Sequence, residues 1–130
     1  MHAVYYRDRR GHEPVNDFID GLPARVQASL DLQIDRLNDL SDTDPPLPFP
    51  HSSQVEGDLR KLRCHYGPRL FRVLYRRSER PFVLLHMFEK ASRNVPAGDK
   101  DMAQRRWQDF NRRMNEQPRR RPRAAGHDAP

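Results

Sequence analysis

Two strand-like runs separated by three residues constrain this chain more than any other feature. Residues 69–77 (Arg-Leu-Phe-Arg-Val-Leu-Tyr-Arg-Arg) read as one strand, and residues 81–90 as another, in which Phe82 to Met87 are apolar on both faces apart from His86. A strand apolar on both faces sits centrally in a sheet. Ser78-Glu79-Arg80 is a hairpin-length connection, so the two runs pair antiparallel. With that loop, Arg72 faces His86, Leu74 faces Leu84 and Leu70 faces Phe88.

The flanking segments supply the other elements. Residues 3–7 are β-prone and short. Pro14 opens a first helix with Val15, Phe18, Ile19 and Leu22 on one stripe, and Gly21 ends it. Pro23 opens a second, in which Val26, Leu30, Ile34, Leu37 and Leu40 recur every three or four residues. Beside them Asp31, Asp35 and Asp39 form a solvated acidic line. Residues 41–53 carry Pro45, Pro46, Pro48 and Pro50, a density that leaves a loop. Residues 58–64 form a third strand. Ala103, Trp107, Phe110 and Met114 mark a last helix over about 97–115. The order β-α-α-β-β-β-α predicts an α+β fold, with two N-terminal helices packed on an antiparallel sheet and a C-terminal helix.

At 130 residues there is room for one domain, assigned to 1–116. Residues 117–130 hold no large apolar side chain and are expected to be a disordered basic tail. No run of about 18 apolar residues crosses a membrane, and the polar N-terminus predicts no signal peptide. Cys64 is the single cysteine, which excludes an internal disulfide and a multi-cysteine zinc site and predicts a reducing, cytoplasmic setting. The six histidines show no ligand-type spacing, so neither a metal nor another cofactor is expected.

Charge is unevenly placed. Residues 1–56 hold five bases and ten acids; the remainder holds nineteen bases and eight acids. Such asymmetry points the second half toward a polyanion. Arg72 lies mid-strand among apolar neighbours, and its charge needs a partner. That partner is either an acid such as Glu89 or Asp58, or a bound anion. His86 is either a hydrogen-bonded core residue or an acid–base group beside Arg72. Lys90 ends the same strand, followed closely by Arg93. Arg60, Lys61, Arg63 and Arg69 add charge on or near the neighbouring strand, a pattern suited to nucleic acid.

Residues 57–96 resemble the phage-derived Gp49-like, or HigB-like, branch of the RelE toxin superfamily. The carrying residues are Gly57-Asp-Leu-Arg-Lys-Leu-Arg63, Phe71-Arg-Val-Leu-Tyr75 and Phe82-Val-Leu-Leu-His-Met-Phe-Glu-Lys90, with Pro96 opening the last helix. The family pattern is roughly G-x-L-x-E-L-R, Y-R-[VI]-L-Y and I-V-L-L-H-G-F-x-K-K-T-x-K-T-P. This chain departs from it at Lys61, where the family has Glu, at Met87, where it has Gly, and at Ala91, where it has Lys.

The resemblance implies a toxin of a type II toxin–antitoxin module, a metal-independent endoribonuclease that cleaves mRNA on the ribosome and blocks translation. It implies a cognate antitoxin, usually of helix-turn-helix type, through which the complex binds operator DNA. By the same resemblance Arg72 and Lys90 stabilise the phosphate, Arg63 positions the backbone, and His86 is an acid–base group or a scaffold. Arg60, Lys61, Arg69 and Arg93 are the expected RNA-binding cations. The alternative is a non-catalytic RNA- or DNA-binding module of the same fold.

Overall fold

In the computed structural model, which describes residues 2–79, 81–90, 93–116 and 123–126, the hairpin lies inside a five-stranded sheet. The order along the chain is β1 (Ala3–Tyr5), α1 (Pro14–Asp20), α2 (Ala24–Asn38), β2 (Ser52–Glu56), β3 (Leu59–Tyr66), β4 (Arg69–Arg77), β5 (Phe82–Glu89) and α3 (Ala97–Glu116). Across the sheet the order is β1-β5-β4-β3-β2. The architecture is α+β, three layers deep, with α3 closing it, as in a RelE-like domain.

Each helix stripe finds its own face. Val15 and Ile19 of α1 and Val26, Leu30, Ile34 and Leu37 of α2 bury against Leu62, Cys64, Phe71, Val73, Tyr75, Leu84 and Met87. Full burial of one such aliphatic side chain contributes about 1.5–3 kcal/mol. On the opposite face Ala103 and Phe110 of α3, flanked by Trp107 and Met114, cover Leu59, Leu74, Val83 and Leu85. Strand β4 alternates cleanly between the layers, as a two-residue period requires.

Three details differ from the sequence reading. First, the sheet is mixed, because β1 runs parallel to β5, pairing Ala3 with Phe82 and Tyr5 with Leu84. Two strands so far apart in sequence need no hairpin and are free to run parallel. Second, Ser52–Glu56 is a strand, starting just after Pro50 and pairing with β3 from Leu62 to Leu59. It is an edge strand of mostly polar residues, so no apolar alternation announces it. Third, the β4–β5 register carries a bulge. Leu74 pairs with His86 but Tyr75 pairs with Leu84, leaving Leu85 unopposed. Arg77 pairs with Phe82, so the connection is 78–81, one residue longer than expected, and together with the bulge this pairs Arg72 with Phe88, not His86, while Leu70 does not oppose Phe88.

The expected tail also differs where it is described. Tyr5 N–H donates to the Arg123 carbonyl at 2.8 Å and Ala125 N–H to the Ala3 carbonyl at 2.7 Å. Ala125 is buried, and the Asn38 amide holds both the Ala3 N–H and the Ala125 carbonyl. Backbone pairing along the open edge of β1 needs no large side chain. Residues 117–122 and 127–130 lie outside the described residues.

Candidate functional site

The bulge decides which side chains meet. Before it, Val83 and Leu85 face α3; after it, His86 and Phe88 do. Strand alternation carries Lys90 to that same face and sends Glu89 to the other. Lys90 N–H continues the ladder by donating to the Leu70 carbonyl at 2.7 Å. On β3, Arg63 lies directly across from Arg72 and Lys61 across from Leu74. Cross-strand partners share a face. Lys61, Arg63, Arg72 and Lys90 thus gather on the α3 side of the sheet.

Arg72 is the centre of this group. It is 3% exposed. Its Nη2 donates to the Arg93 carbonyl at 2.8 Å, which ties the β5–α3 connection to the sheet. Its Nε and Nη1 are buried and have no hydrogen-bond partner. Neither acid expected from the sequence reaches it. Glu89 pairs with Arg69 at 2.9 Å and Asp58 with Arg76 at 3.3 Å. A buried guanidinium with open donors and no carboxylate is costly in the empty protein and is satisfied by an anion.

Electrostatics follow from that crowding. Burial lowers the pKa of Arg72, and Arg63 lowers it further. Lys61 is lowered by burial, then by Arg72, Lys90 and Arg63. Lys90 is lowered by lost hydration, then by Arg72, Arg63 and Arg93. Neighbouring cations favour the neutral amine.

The other expected residues separate. His86 does not meet Arg72. Its Nε2 lies 2.6 Å from Asp99 Oδ1 and its Nδ1 3.0 Å from Arg106 Nη1, both on α3. Arg106 also donates to the Leu85 carbonyl at 2.9 Å. Because Arg106 can only donate, Nδ1 accepts and Nε2 carries the proton. Burial leads in holding His86 below its ordinary pKa, and Arg106 adds to this against the pull of Asp99. His86 is thereby a fastening for α3.

Of the expected RNA-binding cations, Lys61 and Arg93 lie in the cluster. Arg60 does not: it points to the opposite face and donates to the Leu47 carbonyl and to Ser52 Oγ. Arg69 is neutralised bidentately by Glu89 and lies 5.0 Å from the centre of the Phe71 ring. Arg106 escaped the sequence reading; its seven-residue spacing from Asp99 on one helix was the available signal. Among the described residues no three His, Cys, Asp or Glu side chains converge as a metal site would need, and no helix is long and apolar enough to cross a membrane.

Comparison with known families places a relationship on most of this structure. A family model described as "Phage derived protein Gp49-like (DUF891)" matches residues 17–108. No curated protein matches the chain.

Proposed function

Since the chain belongs to the phage-derived Gp49-like family, we propose that it is the toxin of a toxin–antitoxin module and cleaves mRNA on the ribosome without a metal. The observation that carries this reading is Arg72, buried with two open guanidinium nitrogens beside Lys61, Arg63 and Lys90. The reaction is attack of a ribose 2′-OH on the adjacent phosphate, which forms a 2′,3′-cyclic phosphate, breaks the bond to the 5′-oxygen and requires a proton for that leaving oxygen. Negative charge builds on the pentavalent phosphorus, and buried donors that need no rearrangement stabilise it most. Arg72 supplies them, with Arg63 and Lys90 alongside.

Proton transfer falls to the lysines. Lost hydration and then the surrounding cations lower the pKa of both lysines in the empty site, and we assign one to take the 2′-OH proton and the other to give a proton to the leaving 5′-oxygen. An arriving phosphate reverses that bias and strengthens the hold on the proton. The ribosome supplies much of the substrate's orientation. A cognate antitoxin of helix-turn-helix type would neutralise the site by occupying or remodelling the cationic face, and would carry the pair to operator DNA. The setting is cytoplasmic.

The test is induced expression followed by primer extension on mRNA. Growth arrest with new codon-linked 5′ ends is expected, both abolished in Arg72→Ala. Equal toxicity of Arg72→Ala and the parent would refute the site. A second reading, binding without cleavage, draws on His86, whose two ring nitrogens are both engaged. Under it, RNA is retained by the protein and no new 5′ ends form.

A further inference from the structure

A cavity of about 440 Å³ opens beside the cluster and shares Arg63 with it. That is within the range of pockets that enclose small ligands, about 300–1,000 Å³. Arg36, His51, Arg63, His65, Arg69 and Leu70 are among its walls, and no carboxylate lines it. Arg69 is already paired with Glu89, so Arg36, Arg63 and two imidazoles face an incoming group.

The walls are tied to one another. Gln33 of α2 accepts from His65 N–H and donates to the His65 carbonyl, each at 2.8 Å. Arg63 N–H donates to the His51 carbonyl at 2.8 Å, beyond the point where β2 stops pairing with β3. The β3–β4 turn passes through Gly67, whose φ of 57° suits glycine. Of the large apolar side chains left exposed, Phe49 and Tyr66 are immediate chain neighbours of cavity-lining residues.

Position gives the cavity its meaning. Arg63 pairs with Arg72, and His65 pairs with Leu70 two residues further along. Two strand residues span about 7 Å, roughly the reach of one extended nucleotide. We infer that this cavity is a nucleotide subsite, holding the base and phosphate next to the phosphodiester bound at Arg72. The inference rests on the reading of the Arg72 cluster as an RNA site. Single-stranded RNA is held in this way, with cations on the backbone and rings against bases. Arg36 and Arg63 take the phosphate, and His51 and His65 take the base.

The test uses the full chain and a short fluorescent RNA made uncleavable by a 2′-deoxy substitution at the cut. Anisotropy is read for the parent, Arg36→Ala, His51→Ala, their double variant and Arg72→Ala. The double variant is expected to weaken binding about tenfold, in keeping with loss of a stacked base and a phosphate contact. Arg36→Ala should flatten the dependence of log K on log salt by about 0.7, the value for one phosphate of a single strand. His51→Ala should leave that slope unchanged and alter base preference. Both side chains lie at the surface or its margin, and thermal melting checks that each variant folds. Unchanged affinity and preference in a folded double variant overturns the subsite, even if Arg72→Ala abolishes cleavage and the toxin reading stands. Weakened binding in a parent that cleaves nothing upholds the subsite and refutes the nuclease. An unchanged RNA affinity with lost binding of hexaglutamate assigns the cavity to an acidic polypeptide and likewise overturns the proposal.

Discussion

The α3 side of the sheet divides into two regions of opposite character. Under the helix, cations have partners. Arg106 is bonded to His86 and to the Leu85 carbonyl. Arg112 and Arg113 pair with Asp109, which also accepts from Tyr6 at 2.6 Å. Arg76 pairs with Asp58 and lies 4.6 Å from the Trp107 ring centre. Beyond the helix, Lys61, Arg63, Lys90 and Arg93 form no ion pair among the described residues, and Arg72 keeps two open nitrogens. The lesson is that arginine content says little by itself. Charge that is answered inside the fold is structural, and charge left unanswered in a buried position is held for something that arrives.

The sharpest way to break this contrast is to remove one arginine from each region. Arg72→Met should abolish growth arrest, with cleavage falling about 10²–10³-fold, the usual cost of losing a preorganised donor. Its melting temperature should hold or rise, because a buried, half-satisfied charge is gone. A large loss of stability in Arg72→Met would erase the distinction. Arg106→Met should do the opposite. It orphans His86 Nδ1 and the Leu85 carbonyl, costing about 1–3 kcal/mol of stability by denaturant titration, while RNA affinity of the folded protein persists.

Lys61→Arg separates charge from proton transfer. The cation remains but gives up its proton far less readily than the lysine whose pKa burial and neighbouring cations lower, so RNA affinity should survive while the cleavage rate drops about 10²-fold. An equal fall in both would make Lys61 a binding group alone.

The smallest effect belongs to His86. Its folded pKa lies below the ordinary 6.5, so the unfolded chain takes up the proton first on acidification. The stability it contributes is full above pH 6.5 and is lost as pH falls through the folded value. Melting temperature should decline over that interval in the parent, and the decline should be shallower in His86→Gln.

The helices were legible in the sequence because their apolar periods are long and bounded by Pro14, Pro23 and Pro96. The strands β4 and β5 were legible from their apolar residues, β3 from an imperfect alternation, and the cations of the site as residue types at strand positions. What escaped were matters of phase and edge. Nothing in Phe-Val-Leu-Leu-His-Met distinguishes a regular strand from one with an extra residue, since either face can bury any of the apolar ones. The bulge therefore stayed hidden, as did the fourth residue of the connection before Phe82, and the two together separate Arg72 from His86. Arg60 and Arg69 are chemically like Lys61 and Arg63; only strand parity and the position of Glu89 set them apart. The pairing of Ala124 with Val4 rests on backbone groups, which every residue but proline carries alike.

Leu85 has a consequence beyond packing. It works as a counting element: one residue, opposed by none, that resets odd and even for everything downstream. Deleting it would leave a regular strand with the same pairs, Leu84 with Tyr75, His86 with Leu74 and Phe88 with Arg72, and Lys90 would keep its face. Ironing the bulge out with every residue kept would instead pair Leu85 with Leu74 and Met87 with Arg72, pass Lys90 to the α1–α2 layer and bring Glu89 to the face of Arg72. The carboxylate that the cationic face lacks would then be delivered to it by a change of pairing alone, with no residue of the site altered.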